Sequence, residues 1–170
     1  IRETTDCCSK TGIGGWRLRG AAMNDQRVLV RKLTSLQDHT GRLKRRRTGD
    51  LASFKTDVDR QDALCMSLLV AIQDALDIAL HIASDAGWGV PASYGEGFTM
   101  LADHAVIDHA LAADLVAMAA LRNRLAHGYA SVDPGRLWNE LPEGLVALDT
   151  FAMAMARRLG PGANPANSPA

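Results

Sequence analysis

Apolar side chains recur every three or four residues along most of this chain, the interval at which an α-helix returns to one face. Leu29, Leu33, Leu36 and Leu43 form the first stripe, with Asn24 or Asp25 placed to cap its start, and the helix ends in Lys44, Arg45, Arg46 and Arg47 before Thr48 and Gly49. A longer helix is predicted from about Thr56 to Asp85, with Leu64, Leu68, Ala71, Ile72, Ala75, Ala79 and Ile82 on one side and Gly87, Gly89 and Pro91 as its stop. Gly95 to His104 reads as a short helix, and Asp108 to about His127 as a fourth, carrying Leu111, Leu115, Met118, Ala119 and Leu125. Asp133 and Pro134 open a fifth, in which Leu137, Leu141, Leu145, Leu148, Phe151, Met155 and Leu159 recur at helical spacing and Pro142 and Gly144 are candidate kinks. Five amphipathic helices with short links predict an all-α antiparallel helical bundle.

The ends depart from this pattern. Residues 1–22 hold Cys7, Cys8 and four glycines without apolar periodicity, and are expected to be a disordered extension. A domain over 23–159 and a disordered tail over 160–170, rich in Pro and Gly, complete the expected organisation. With 47% hydrophobic and 5% aromatic residues, the composition favours helices over a sandwich or barrel. The three cysteines form neither a disulfide framework nor a zinc spacing, which suits a reducing, cytoplasmic setting. The most apolar region, Ala63 to Ala83, is interrupted by Asp74, Asp77 and His81, so no membrane span is expected.

Charge sharpens the picture. The net charge is zero, yet residues 24–48 carry eight bases against two acids, while 49–121 carry two bases against eleven acids. The positive end suits nucleic acid or the negative body of a second copy.

The segment with chemistry is Arg122-Asn123-Arg124-Leu125-Ala126-His127-Gly128-Tyr129, at the end of the fourth helix. Arg-x4-His alone arises by chance about 0.44 times in such a composition, but with Tyr two residues further the figure falls to about 0.005. On a helix Asn123 and His127 share a face, whereas Arg122 and His127 are splayed by about 140°, a gap that a long arginine can round. A two-fold-related copy of the helix would bring both sets around one cleft.

These residues resemble the signature of the HEPN superfamily, and with Tyr129 the HepT branch, the toxins of HepT/MntA toxin–antitoxin pairs. Val28 to Leu33, Ala71 to Ile82 and Arg122 to Tyr129 fit the pattern, and the resemblance runs from about Val28 to Leu159. It implies a HEPN-like homodimer that cleaves RNA as a metal-independent endoribonuclease, with no cofactor. Arg122 would hold phosphate, His127 would serve as base or acid, and Asn123 would orient ring or phosphate, leaving a 2',3'-cyclic phosphate and a 5'-hydroxyl. Tyr129 would be the site at which an MntA-like nucleotidyltransferase antitoxin attaches AMP, blocking the cleft with a phosphate two residues from His127. Gly128 and Arg124 depart modestly from the family pattern, Arg124 adding a second cation.

Other readings stand beside this one. The same residues fit a non-catalytic HEPN subunit that binds nucleotide or nucleic acid for a nucleotidyltransferase, because holding and cutting a phosphodiester call for the same residue types. Asp74, Asp77 and His81 share a helical stripe; metal binding lacks further ligands at a known spacing. Asp77 is instead a supporting candidate, accepting a hydrogen bond from His127 or Arg122, or merely pairing with His81. His39, His104 and His109 read as surface residues, and Lys44 to Arg47 as a solvated basic helix end that also suits RNA. No base-reading module is visible, so the RNA substrate is not legible.

Overall fold

Leu29, Leu33, Leu36 and Leu43 are each 2% exposed or less and form the inner stripe of α1 (Met23–Arg46). Burying each such side chain contributes about 1.5–3 kcal/mol. The computed structural model describes residues 23–127 and 133–159, with side chains from residue 26 onward. Over these residues it contains α2 (Leu51–Thr56), α3 (Val58–Asp85), α4 (Tyr94–Asp103), α5 (His109–His127) and α6 (Pro134–Leu159), and no strand.

Helix α2 corrects the expected count of five. Asp50 caps it by accepting from the Ser53 amide at 2.8 Å, and its Phe54 is fully buried with its ring 4.9 Å from that of Trp138 on α6. The long helix accordingly starts at Val58 instead of Thr56. Asp57, at φ −102° and ψ 89°, leaves helical geometry and caps α3 through the Arg60 amide at 2.9 Å.

Elsewhere the ends follow the sequence closely, except that α1 already begins at Met23 and takes in Asn24 and Asp25, the caps expected for it. Ser93 accepts from the Glu96 amide at 3.2 Å while the Glu96 carboxylate accepts from the Ala92 amide, a reciprocal cap for α4. Asp108 accepts from the Leu111 amide at 2.7 Å at the head of α5, and Asp133 from the Gly135 amide at 2.8 Å at the head of α6. Helix α6 runs on through Pro142, and its Gly144 lies so close to α5 that a Cβ there would collide with the Met118 sulfur.

Helix α3 is the centre of the bundle and touches all five others. It runs antiparallel to α1, since Lys32 meets Asp74 and Asp77 at one end and Arg46 meets Ser67 at the other. By length and apolarity α3 is the one described helix long enough to cross a membrane, but 61% of its apolar window is buried inside the bundle, as befits a core helix. The basic end of α1 is exposed at Lys44 and Arg45, as expected, and half-buried at Arg46 and Arg47. Lys44 pairs with Asp149 at 2.5 Å, Arg46 donates to Ser67, and the Arg47 guanidinium lies 5.0 Å from the Trp138 ring centre. His39 is half-buried rather than on the surface, while His104 is exposed and stacks on Trp88 at 3.8 Å.

Candidate active site

The last two turns of α5 lie where α3 and the start of α4 converge. Apolar Leu121 and Leu125 are buried, at 7% and 1% exposure, and fix this end of α5 against the core. With those two facing inward, Arg122 and Asn123 fall at the half-buried edge, and Arg124 and His127 are exposed. Tyr129 and Gly128 lie outside the described residues.

Arg122 reaches back across the bundle. One guanidinium nitrogen, Nη2, donates to Gln73 Oε1 on α3 at 3.0 Å, and Nη1 donates to the neighbouring Asn123 Oδ1 at 3.3 Å. The guanidinium carbon, Cζ, lies over the ring of Tyr94, the first residue of α4, 5.2 Å from its centre. A cation over an aromatic ring and two amide oxygens accepting from separate guanidinium nitrogens hold the group in orientation.

Behind Gln73 the network continues. Gln73 Nε2 donates to Asp77 Oδ1 at 2.7 Å, Asp77 Oδ2 pairs with Lys32 Nζ at 2.7 Å, and Lys32 also meets Asp74 Oδ1 at 3.1 Å. The Lys32 ammonium is held above its ordinary pKa chiefly by its hydrogen bond to Asp77, with Asp74 adding to the effect and burial opposing it. Asp74 is 3% exposed, so Lys32 offsets a carboxylate that the core would otherwise strand.

Asp77 therefore does not bond Arg122 directly, nor does it pair with His81. Gln73 stands between Asp77 and Arg122, and His81 Nε2 lies 3.7 Å from Asp85, one turn further along α3. Asp74, Asp77 and His81 form no ligand cluster, and no group of three candidate metal ligands occurs among the described residues. Gln73, Tyr94 and Lys32 escaped the reading of the sequence. The only hint was the spacing of four between Gln73 and Asp77, which places them one helical turn apart.

The described residues form an all-helical bundle, with an oriented arginine and an exposed histidine at the end of α5, and this is the fold of a HEPN-type protein. The family model described as Ribonuclease HepT-like matches residues 36–155, and the chain belongs to this family of ribonucleases. The mRNA nuclease HepT of Shewanella oneidensis is 32% identical over 107 residues, covering 63% of this chain and 78% of that protein. Among solved structures, the tri-AMPylated Shewanella oneidensis HEPN toxin in complex with MNT antitoxin superposes with a TM-score of 0.69 at 26% identity, over 75% of this chain and 96% of that one. A toxin–antitoxin structure with AMP-PNP gives the same TM-score at 25% identity, over 75% of this chain and 97% of that one. The cytosolic protein YutE of Bacillus subtilis, of unknown function, shares the fold at 20% identity, with a TM-score of 0.56 over 72% of this chain and 86% of that one.

Proposed function

We propose that this chain is the toxin of a toxin–antitoxin pair, a cytoplasmic, homodimeric endoribonuclease that cuts RNA with Arg122 and His127 and needs no metal. An MntA-like nucleotidyltransferase antitoxin would silence it by attaching AMP to Tyr129. The observation that carries the reading is the orientation of Arg122 by Gln73, Asn123 and Tyr94, five residues before an exposed His127.

The chemistry follows from those groups. His127 takes the proton of a ribose 2'-hydroxyl, the 2'-oxygen attacks phosphorus, and the bond to the 5'-oxygen breaks. The leaving oxygen takes a proton from a second imidazole, supplied by His127 of a two-fold-related copy. Arg122 binds the non-bridging oxygens, whose charge grows as the phosphorane forms, and Asn123 and Arg124 flank it. AMP on Tyr129 would bring a phosphate to the same cleft, competing with RNA for Arg122 by charge and by bulk.

The test is incubation of the unmodified protein with total RNA in EDTA beside His127→Ala, with analysis of fragment ends. Cleavage by the unmutated protein alone, leaving cyclic phosphate and 5'-hydroxyl ends, is the expected result. Intact RNA with a mass free of AMP would overturn the nuclease reading and favour a subunit that binds nucleic acid without cutting it.

A further inference from the structure

We propose that Gln73 is a positioning residue for Arg122 that holds the guanidinium in place while leaving its positive charge uncompensated. The inference rests on the ribonuclease reading above. A guanidinium can only donate and an ionised carboxylate can only accept, so an amide between them is held in one orientation. Gln73 meets this requirement, with its oxygen 3.0 Å from Arg122 and its nitrogen 2.7 Å from Asp77. Lys32, 2.7 Å from the other Asp77 oxygen and 3.1 Å from Asp74, fixes that carboxylate in place.

A carboxylate in place of the amide would orient the arginine as well and defeat its purpose. A side chain that binds phosphate must arrive with its charge unspent, and an Arg–carboxylate pair would compete with the substrate for the same fork of donors. Among the described residues no carboxylate pairs with Arg122, and the side chains that accept from it are the neutral amides of Gln73 and Asn123. The four side chains form a series in which the ions at either end of Gln73 are separated by a neutral group. Lys32 is shared between Asp77 and Asp74, Gln73 transmits the placement of Asp77, and no carboxylate among the described residues touches Arg122. Tyr94 adds to the hold through its ring face, again without neutralising the cation.

The experiment measures binding of a fluorescein-labelled poly(U) oligomer in the cleavage-silent His127→Ala background across a salt series, and single-turnover cleavage of total RNA with His127 intact. Arg122→Ala sets the scale: if it leaves binding and cleavage unchanged, the ribonuclease reading falls and this inference with it. With Arg122 shown to matter, Gln73→Glu is expected to weaken poly(U) binding on the order of tenfold and to flatten the slope of log affinity against log salt by about 0.7, as loss of one phosphate contact would. Gln73→Met removes the hydrogen bonds without adding charge, and is expected to keep the slope while slowing cleavage on the order of tenfold. A merely structural glutamine would not separate the two variants in this way. Unchanged affinity and slope in a folded Gln73→Glu protein, or full cleavage by Gln73→Met, overturns the proposal. Should Gln73→Glu melt before assay, the Met variant decides alone.

Discussion

Arg122 and Gln73 are 49 residues apart in the chain and meet across the α3–α5 interface through one hydrogen bond of 3.0 Å. That contact ties the C-terminal end of α5 to the helix at the centre of the fold. Its geometry leads to the following expectations.

Arg122→Lys keeps the charge and loses the planar fork. An ammonium cannot share itself between Gln73 and Asn123 while offering further donors to phosphate. Cleavage of labelled RNA is expected to fall on the order of 100-fold in kcat/KM with the melting temperature little changed. A variant with near-normal kinetics would show that charge alone suffices.

Tyr94 is 42% exposed, and its ring faces the Arg122 guanidinium. Tyr94→Phe retains the ring and is expected to preserve activity, whereas Tyr94→Leu removes a contact worth about 0.5–1 kcal/mol and should lower kcat/KM a few-fold. Equal losses in both variants would point to the hydroxyl instead of the ring face.

Stability should fall on mild acidification through His39. Its imidazole is held below the ordinary value of 6.5, first by burial and then by the Arg42 charge, and its buried Nδ1 finds no hydrogen-bond partner among the described residues. The folded state therefore binds a proton less readily than the unfolded chain, so this stabilisation is complete above pH 6.5 and declines as the pH drops below it. Thermal melts at a series of pH values should show this slope in the unmutated protein and a shallower one in His39→Leu.

Lys32 produces a dependence of opposite sense. Raised above 10.5 chiefly by Asp77, its contribution is complete below that value and is lost as the pH rises through the higher value of the folded state. At neutral pH, Lys32→Met leaves the buried Asp74 carboxylate without its donor and should cost about 1–3 kcal/mol in chemical denaturation. Adding Asp74→Leu, which removes the stranded charge, should recover part of that loss. A double variant no more stable than Lys32→Met would show that Asp74 is not the group Lys32 compensates.

Much of this structure is legible in the residues themselves. The leucines of α1 and the apolar faces of α3, α5 and α6 declare their helices by spacing, and Asp108 and Asp133 declare where two of them begin. Helix α2 is not legible, because a helix of six residues has little intrinsic stability and depends on Phe54 meeting Trp138 from the far end of the chain. Arg122 and His127 could be found as a local motif within one helix. Gln73 and Tyr94 could not, since neither carries a distinctive pattern and their common partner is known only once α3, α4 and α5 are packed. Asp77 illustrates the boundary. Its place on a polar stripe was visible, but which neighbour would claim each oxygen depended on the antiparallel pairing of α1 with α3.

Synthesis order adds a last consequence to the position of α6. Lys32, Gln73, Asp77 and Tyr94 all leave the ribosome before Arg122, so the holder of the arginine is translated before the arginine itself. The core is not yet closed at that point, for Leu145, Leu148 and Phe151 of α6 are still to come and are buried at 7%, 0% and 0% exposure. A nascent chain halted just beyond α5 thus carries the residues assigned to cutting RNA without the helix that completes their support. Ribosome-bound chains stalled before and after α6 should therefore differ in their ability to cut RNA, because only the longer one holds the side chains that close the core.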